Sequence, residues 1–472
     1  MASKDIALMA HLMRRAGFGA SYEELEARAA KGYEETVEEL LDPDAYGIPS
    51  VDLHMFRRYH PLAEAEASTE KCSLTFMYYL LTTQRPLEEK MTLLWHMIFA
   101  TGNSKVENSQ ELIAQLNMFR SYGMDSYREL LVEISKDPAM IFWLDNNENH
   151  KTAPNENWGR ELLELFSMGQ GNYTEEDVKE ASRAFTGWTI SPKLPKDPFL
   201  CLDKWEFLYL PADHDHDEKV FLGERGPFNG EDIIDIIVKQ PATAHFVARH
   251  LYNFFVADEV QVPSWKDEPP RDPDAVDAIA DTFVKTNYNI RSTLRFIFNS
   301  EFFKDEKSWF ARVKSPVEIV TGTTRLTGSF GDFRPGMVSL ALECSYQGQE
   351  LTNPPSVEGW HYGPEWIDTG ALIRRVNFMA DTLGDATSPG IRLIIDRLAG
   401  QGSFTPAQLI DGCLELLGDV KLEPNTHEEI VGHIGMNGEI KRGSSEDEVK
   451  RFGEQVTEVL QLIAATREYQ MC

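Results

Sequence analysis

The chain has 472 residues, with 76 Asp and Glu against 46 Lys and Arg and a formal net charge of -30. That length allows a large core and roughly two to four structural units, and so acidic a surface repels nucleic-acid phosphates and anionic lipid, so neither is expected as a partner. Five cysteines (Cys72, Cys201, Cys344, Cys413 and Cys472) are scattered without a CxxC pair, which argues against a disulfide framework or a cysteine-ligated zinc and for a reducing compartment. No apolar run approaches the roughly 18 residues of a membrane span and the first twenty residues hold no secretory signal; the expectation is a cytoplasmic protein without membrane insertion.

Along the chain, residues 5–41 predict short amphipathic helices separated by Gly17, Gly19 and Gly32. A helix is predicted over 86–100, apolar on nearly every side from Leu93 onward, which marks a buried segment carrying His96. Helices follow over 110–118 and 127–134, and then come two whose ends are legible. Asn155 offers a capping oxygen after Pro154 and Gly169 a left-handed stop, so the first spans 155–168. The second opens on Thr174 and Asp177 as a capping box and closes before Gly187, with Trp188 packing just beyond.

Between 191 and 223 the texture changes to Pro, Asp, Trp and Phe, with WEFLYL and KVFLG as short strands. Helices resume over 230–239, 241–256, 274–286, 290–298 and 317–327. Residues 353–368, NPPSVEGWHYGPEWID, are interrupted by three prolines and two glycines and predict an ordered aromatic loop. The chain after 388 reads as a polar helical tail with a last helix over 446–469. The expected fold is mainly α: a multi-helical globular body over 1–390, a small irregular or β insertion (a lid) around 191–229, and a C-terminal helical extension over 391–472 packed on the body.

Chemistry concentrates on the helix over 155–168. Trp158, Leu162, Leu163, Leu165 and Phe166 share an apolar arc, and Glu156, Asn157, Arg160 and Glu164 the opposite one. Glu161 falls at the boundary, where partial desolvation raises a carboxyl pKa unless Arg160, a metal or another donor compensates. The ladder Glu156, Arg160, Glu164 is also what any solvated helix carries. His96, in a helix this apolar, reads either as a hydrogen-bonded core residue or as a base or ligand reached by Glu161 or Glu164.

His214, Asp215, His216 and Asp217 alternate, so in an extended segment the two imidazoles share a face, as a metal ligand pair would; a solvated polar loop is the other reading. The aromatic loop offers Asn353, Glu358, Trp360 and His361 to a ligand pocket, or plugs the body of the fold. His427 and His433 are not spaced as HExxH, and no GxSxG elbow, Walker loop, GxGxxG or paired Glu-x-x-His is present.

HLMRRAGFGA from His11, RPLEEKMTLLWHMIFAT from Arg85, APNENWGRELLELF from Ala153, GNYTEEDVKEASRAFTGW from Gly171, KVFLG from Lys219, QPATAHFVARHLYNFFV from Gln240 and NPPSVEGW from Asn353 together resemble the bacterial domain of unknown function 1800 family over residues 11–378. The resemblance implies little about activity. Relatives are commonly exported and often lie beside a sulfatase-like family, which points to a protein partner. Where the family usually reads Trp-His-Asn-His-Phe this chain has Trp95, His96, Met97, Ile98 and Phe99, which removes a two-histidine site; where it reads His-Asp-Thr-Gly, a second histidine replaces the glycine at His214 to Asp217.

The expected site is a pocket between the His96 helix and the Glu161 helix, capped by the His214 and Trp360 loops. Glu161 is the general acid or base, His96 its partner or a ligand, Glu164 a further catalytic carboxylate, and Arg160 orients an anionic group. Asn155, Glu156, Asn157, Trp188, Asn353, Trp360 and His361 contact substrate, and His214, Asp215 and His216 are candidate ligands for a divalent metal. The expected reaction is hydrolytic or lyase-like on a small polar or glycan-like substrate; the alternative is a non-enzymatic helical scaffold or assembly partner in which the same groups form a structural network.

Overall fold

The computed structural model describes residues 3–59, 70–191, 204–330, 336–435, 440–441, 443 and 445–472; within them helices dominate, and the strands form three separate two-stranded antiparallel pairs. Helix starts follow capping side chains. Asn108, Ser126, Thr174, Ser315 and Ser445 each accept a first-turn N–H, and Thr174, Ser315 and Ser445 do so in capping boxes with Asp177, Glu318 and Glu448. No helix among the described residues is long and apolar enough to cross a membrane.

The insertion folds as Trp188–Ser191 paired with Glu206–Tyr209, followed by a hairpin of Lys219–Phe221 with Glu224–Gly226. Its residues 192–203, Cys201 among them, lie outside the described residues. The other four cysteines are free and buried. A third pair, Ser403–Phe404 with Ile440–Lys441, was not expected, because two-residue strands leave no alternation to read.

The Pro86–Ile98 helix runs through the middle of the core, with every residue but Glu88 buried. It carries Lys90 to Glu318, the capping residue of the Pro316–Thr327 helix, and the Glu318 carboxylate also accepts from Arg312 at 3.0 and 3.1 Å and from the Ser315 N–H at 2.7 Å. Burial opposes ionisation of Glu318, but Arg312 and Lys90 more than offset it and hold the carboxyl far below its ordinary range. The C-terminal segment shares this body. Glu446–Ala464 packs on Thr369–Leu383, Arg397 pairs with Glu26 at 2.6 Å, and one contiguous cluster of buried apolar side chains runs from Ile6 to Tyr469.

Candidate acid-base site

The Glu161 helix is shorter than its sequence period suggests. It spans Asn157–Glu164, because Asn155 turns its side-chain oxygen to the Asn157 N–H at 2.9 Å before the first turn. At the other end the Leu165 and Phe166 N–H groups both fall back on the Glu161 carbonyl, and the chain leaves through Gly169 at φ +76°, as its left-handed stop requires. Gly159 makes the close approach to the following helix possible: a Cβ there would lie 2.3 Å from Ser182 Oγ. The second helix, Glu175–Ala184, closes before Gly187, and Trp188 packs on Phe185 at 5.0 Å.

Glu161 is partly buried, and its carboxyl has no hydrogen-bond or ion-pair partner among the described residues. Burial first, then the Glu164 carboxylate, raise its pKa from 4.5 to about 7; Arg160 pulls it down and Glu358 pushes it further up. Asp137 is also raised to about 7, but its carboxylate accepts from Met140 N and Gln115 as the cap of the Pro138–Trp143 helix, so its oxygens are spent on structure. Glu164 accepts from the Tyr173 hydroxyl at 2.8 Å and from the Gln170 amide. Glu161 alone of these has an uncommitted carboxyl.

Glu358 arrives from the aromatic loop, 197 residues downstream in the chain by the difference of the two numbers. Gly359, at φ +84°, brings this loop onto the end of the His96 helix: a Cβ would lie 2.3 Å from the Met97 carbonyl. His361 follows, with Nδ1 at 2.5 Å from Glu365 and Nε2 at 3.6 Å from Glu358. Trp360, Tyr362 and Trp366 are buried, so the loop plugs the body with its aromatic side chains and leaves its charged ones outside.

The remaining expected residues are distributed more widely. Arg160 grips Glu175 with two hydrogen bonds at 2.7 and 3.0 Å and reaches Glu156 at 3.3 Å, so its guanidinium is occupied by carboxylates. His96 is fully buried against Trp360 (5.4 Å between rings) and Phe76 (6.2 Å), neither ring nitrogen has a partner, and burial pushes its pKa down to about 4. No carboxylate of the described residues reaches it. Trp188 donates to Asn229 at 2.9 Å from within the core, and Asn353 caps the Asn103–Val106 helix by accepting from the Ser104 N–H at 2.9 Å.

In the insertion the His214 and His216 rings do share a side, 4.7 Å apart, but His214 Nδ1 lies 2.9 Å from the Thr186 carbonyl, His216 Nε2 lies 2.9 Å from the Pro211 carbonyl, and Asp215 is taken by Arg183 at 2.7 Å. Among the described residues no group of three or more His, Cys, Asp or Glu is arranged to hold a metal ion.

The loop that follows the Glu161 helix, Met168 to Asn172, lines a cleft of about 510 Å³ together with Phe246, Trp265 and Lys266. Gln261, next in the chain to the cleft residue Val262, exchanges two hydrogen bonds with the Tyr362 backbone, at 2.9 and 3.1 Å, and so ties the Glu358 loop to this segment. Sequence reasoning noticed Glu358 without assigning it a role and missed Trp265 and Lys266. Glu358 reaches Glu161 from a distant segment, and Trp265 and Lys266 stand in a Pro-rich stretch with no periodic pattern to mark them.

The model of the family described as protein of unknown function (DUF1800) matches residues 11–471. The chain belongs to this family. The match takes in the C-terminal helices as well as the segments recognised above, so in DUF1800 the packing of Glu446–Ala464 on Thr369–Leu383 falls within the family region. No curated protein and no solved structure matches the chain.

Proposed function

We propose that this chain is an acid-base enzyme, a hydrolase or lyase acting on a small polar or glycan-like substrate, with Glu161 as the group that gives and takes the proton. The observation that carries the reading is the uncommitted Glu161 carboxyl with a pKa near 7, flanked by two further carboxylates. At neutral pH such a group is populated in both protonation states. Glu358, on the aromatic loop, supplies the second carboxylate that cleavage at an acetal or elimination beside an oxygen calls for, and its charge adds to the larger effects of burial and of Glu164 that favour the protonated form of Glu161. His361 positions Glu358, His96 holds the loop through Trp360, and Arg160 fixes the strip by gripping Glu175 and Glu156.

The test is turnover of a glycan panel, read as new reducing ends or unsaturated products by mass spectrometry, with Glu161→Gln beside the native protein. Loss of all product with unchanged circular dichroism supports the reading; equal product from both proteins overturns it. The occupied Arg160 and the buried plug around Trp360 favour a second reading, a scaffold in which the strip only sets helix packing. That reading expects no product from either protein and a change in stability alone.

A further inference from the structure

The cleft lined by the loop that follows the Glu161 helix has a composition at odds with the rest of the molecule. The chain carries 76 acidic against 46 basic residues, yet the walls of this cleft hold Arg249, Lys266 and His245 against a single carboxylate, Asp277. Two of the three basic groups are already occupied. Arg249 is buried and bound to Glu259 at 2.7 and 2.9 Å, and His245 Nε2 lies 3.2 Å from Asp277. Lys266 is the remainder: its ammonium has no carboxylate partner among the described residues. Its position is built, because Gly171, at φ +89°, leaves room for the lysine stem, whose Cγ, Cδ and Cε would lie 3.3–3.4 Å from a Cβ at that position.

Beside Lys266 stands an aromatic wall. The Trp265 ring is held by its Nε1 donating to the Val260 carbonyl at 2.7 Å, by the Arg249 guanidinium at 4.6 Å, and by Phe246 and His250 at 5.7 and 4.6 Å. A ring fixed on so many sides is preorganised; the Gln170 and Asn172 NH2 groups are spent on Glu164 and on the Met168 and Gly169 carbonyls, so the cleft presents the Trp265 ring, amide oxygens that accept hydrogen bonds and one unneutralised cation. A pyranose has the matching chemistry: a C–H face for the ring, hydroxyls at its rim for the amides.

The geometry points to a binding subsite for an acidic saccharide, one whose sugar ring stacks on Trp265 while a carboxylate on that ring pairs with Lys266. The inference rests on the enzyme reading above for its place next to Glu161, and it narrows the substrate class of that site from glycans in general to uronate-containing ones. The Gln170 amide, which lines the cleft and donates to Glu164, joins the subsite to the acid-base strip.

Isothermal titration of the full chain with oligosaccharides of galacturonate, mannuronate and glucuronate, each beside a neutral oligosaccharide of equal length, tests this. At least one uronate series is expected to bind ten-fold or more tightly than its neutral counterpart, with the difference shrinking as NaCl is raised. Lys266→Glu, a surface change, should erase that preference, and Trp265→Ala should remove binding of both series; Trp265→Phe keeps the ring should the alanine variant not fold. Absence of binding by any uronate, equal binding of acidic and neutral sugars, or a Lys266→Glu protein that binds like the native one overturns the inference. Glu161→Gln separates the two proposals: uronate binding retained with no turnover in either protein would remove the enzyme reading and leave the subsite standing.

Discussion

Two glutamates, Glu318 and Glu161, sit in the same fold under opposite electrostatics. Glu318 is the more deeply buried, yet it is ionised and held far below the ordinary carboxyl range, because Lys90 and Arg312 face it and the Ser315 N–H donates to it. Glu161 is less deeply buried, yet it is pushed up to about 7, by burial first and then by the Glu164 and Glu358 carboxylates, while its one cation, Arg160, is committed to Glu175. Depth alone does not decide a carboxyl's state. Burial pushes both carboxyls up, and the cations that face Glu318 but not Glu161 set them apart: one arrangement ties helices together while the other leaves a proton to be exchanged.

The largest expected effect breaks the Glu318 side. Glu318→Gln leaves Lys90 and Arg312 buried without their carboxylate and should cost about 3–5 kcal/mol, read by denaturant unfolding. Stabilisation by Glu318 is present above the ordinary carboxyl pKa of 4.5 and lost as pH falls toward its lowered folded value, so the gap between native and variant protein should close in acid. A gap that stays constant down to the onset of acid unfolding would contradict the assignment.

Gly359→Ala comes next. Its Cβ would collide with the Met97 carbonyl at a left-handed φ, so the loop must shift, at a cost of about 1–3 kcal/mol. The comparison sharpens here: moving Glu358 away should lower the Glu161 pKa, measurable by carboxyl-selective NMR titration. An unchanged Glu161 titration would show that Glu358 contributes nothing to it.

Glu161→Gln should act in the opposite direction to Glu318→Gln. A carboxyl raised in the folded state favours folding most below 4.5, and that contribution is lost as pH rises to about 7. The glutamine variant should therefore be the more stable above neutrality, by on the order of 1 kcal/mol after solvent screening, with a flatter Tm against pH. A native-like pH profile would mean that Glu161 ionises normally. The smallest effect belongs to Arg160→Ala, whose exposed bridges to Glu175 and Glu156 should contribute no more than about 1 kcal/mol, read by the same unfolding curves. A larger loss would favour the scaffold reading of the strip.

Much of this architecture is local in origin and was legible as such. The capping box of Thr174 with Asp177, the left-handed stops at Gly169 and Gly187, the buried run after Leu93 and the irregular 353–368 segment all follow from interactions within a few residues. The boundary position of Glu161 was legible for the same reason, since helical period places it between an apolar and a polar arc. What helical period could not supply was the identity of the neighbours. His96 meets Trp360 and no carboxylate, His214 and His216 turn toward backbone carbonyls, and Glu358 and Trp265 enter the site from distant segments.

A mainly helical chain, the ends of many of its helices and the half-buried place of Glu161 are local properties, because each depends on turn geometry and side-chain spacing along one element. Packing brought Glu358 to Glu161, Lys90 to Glu318 and the Lys266 stem against Gly171. Those outcomes depend on how whole helices and loops pack, and a carboxyl's charge state follows from that packing.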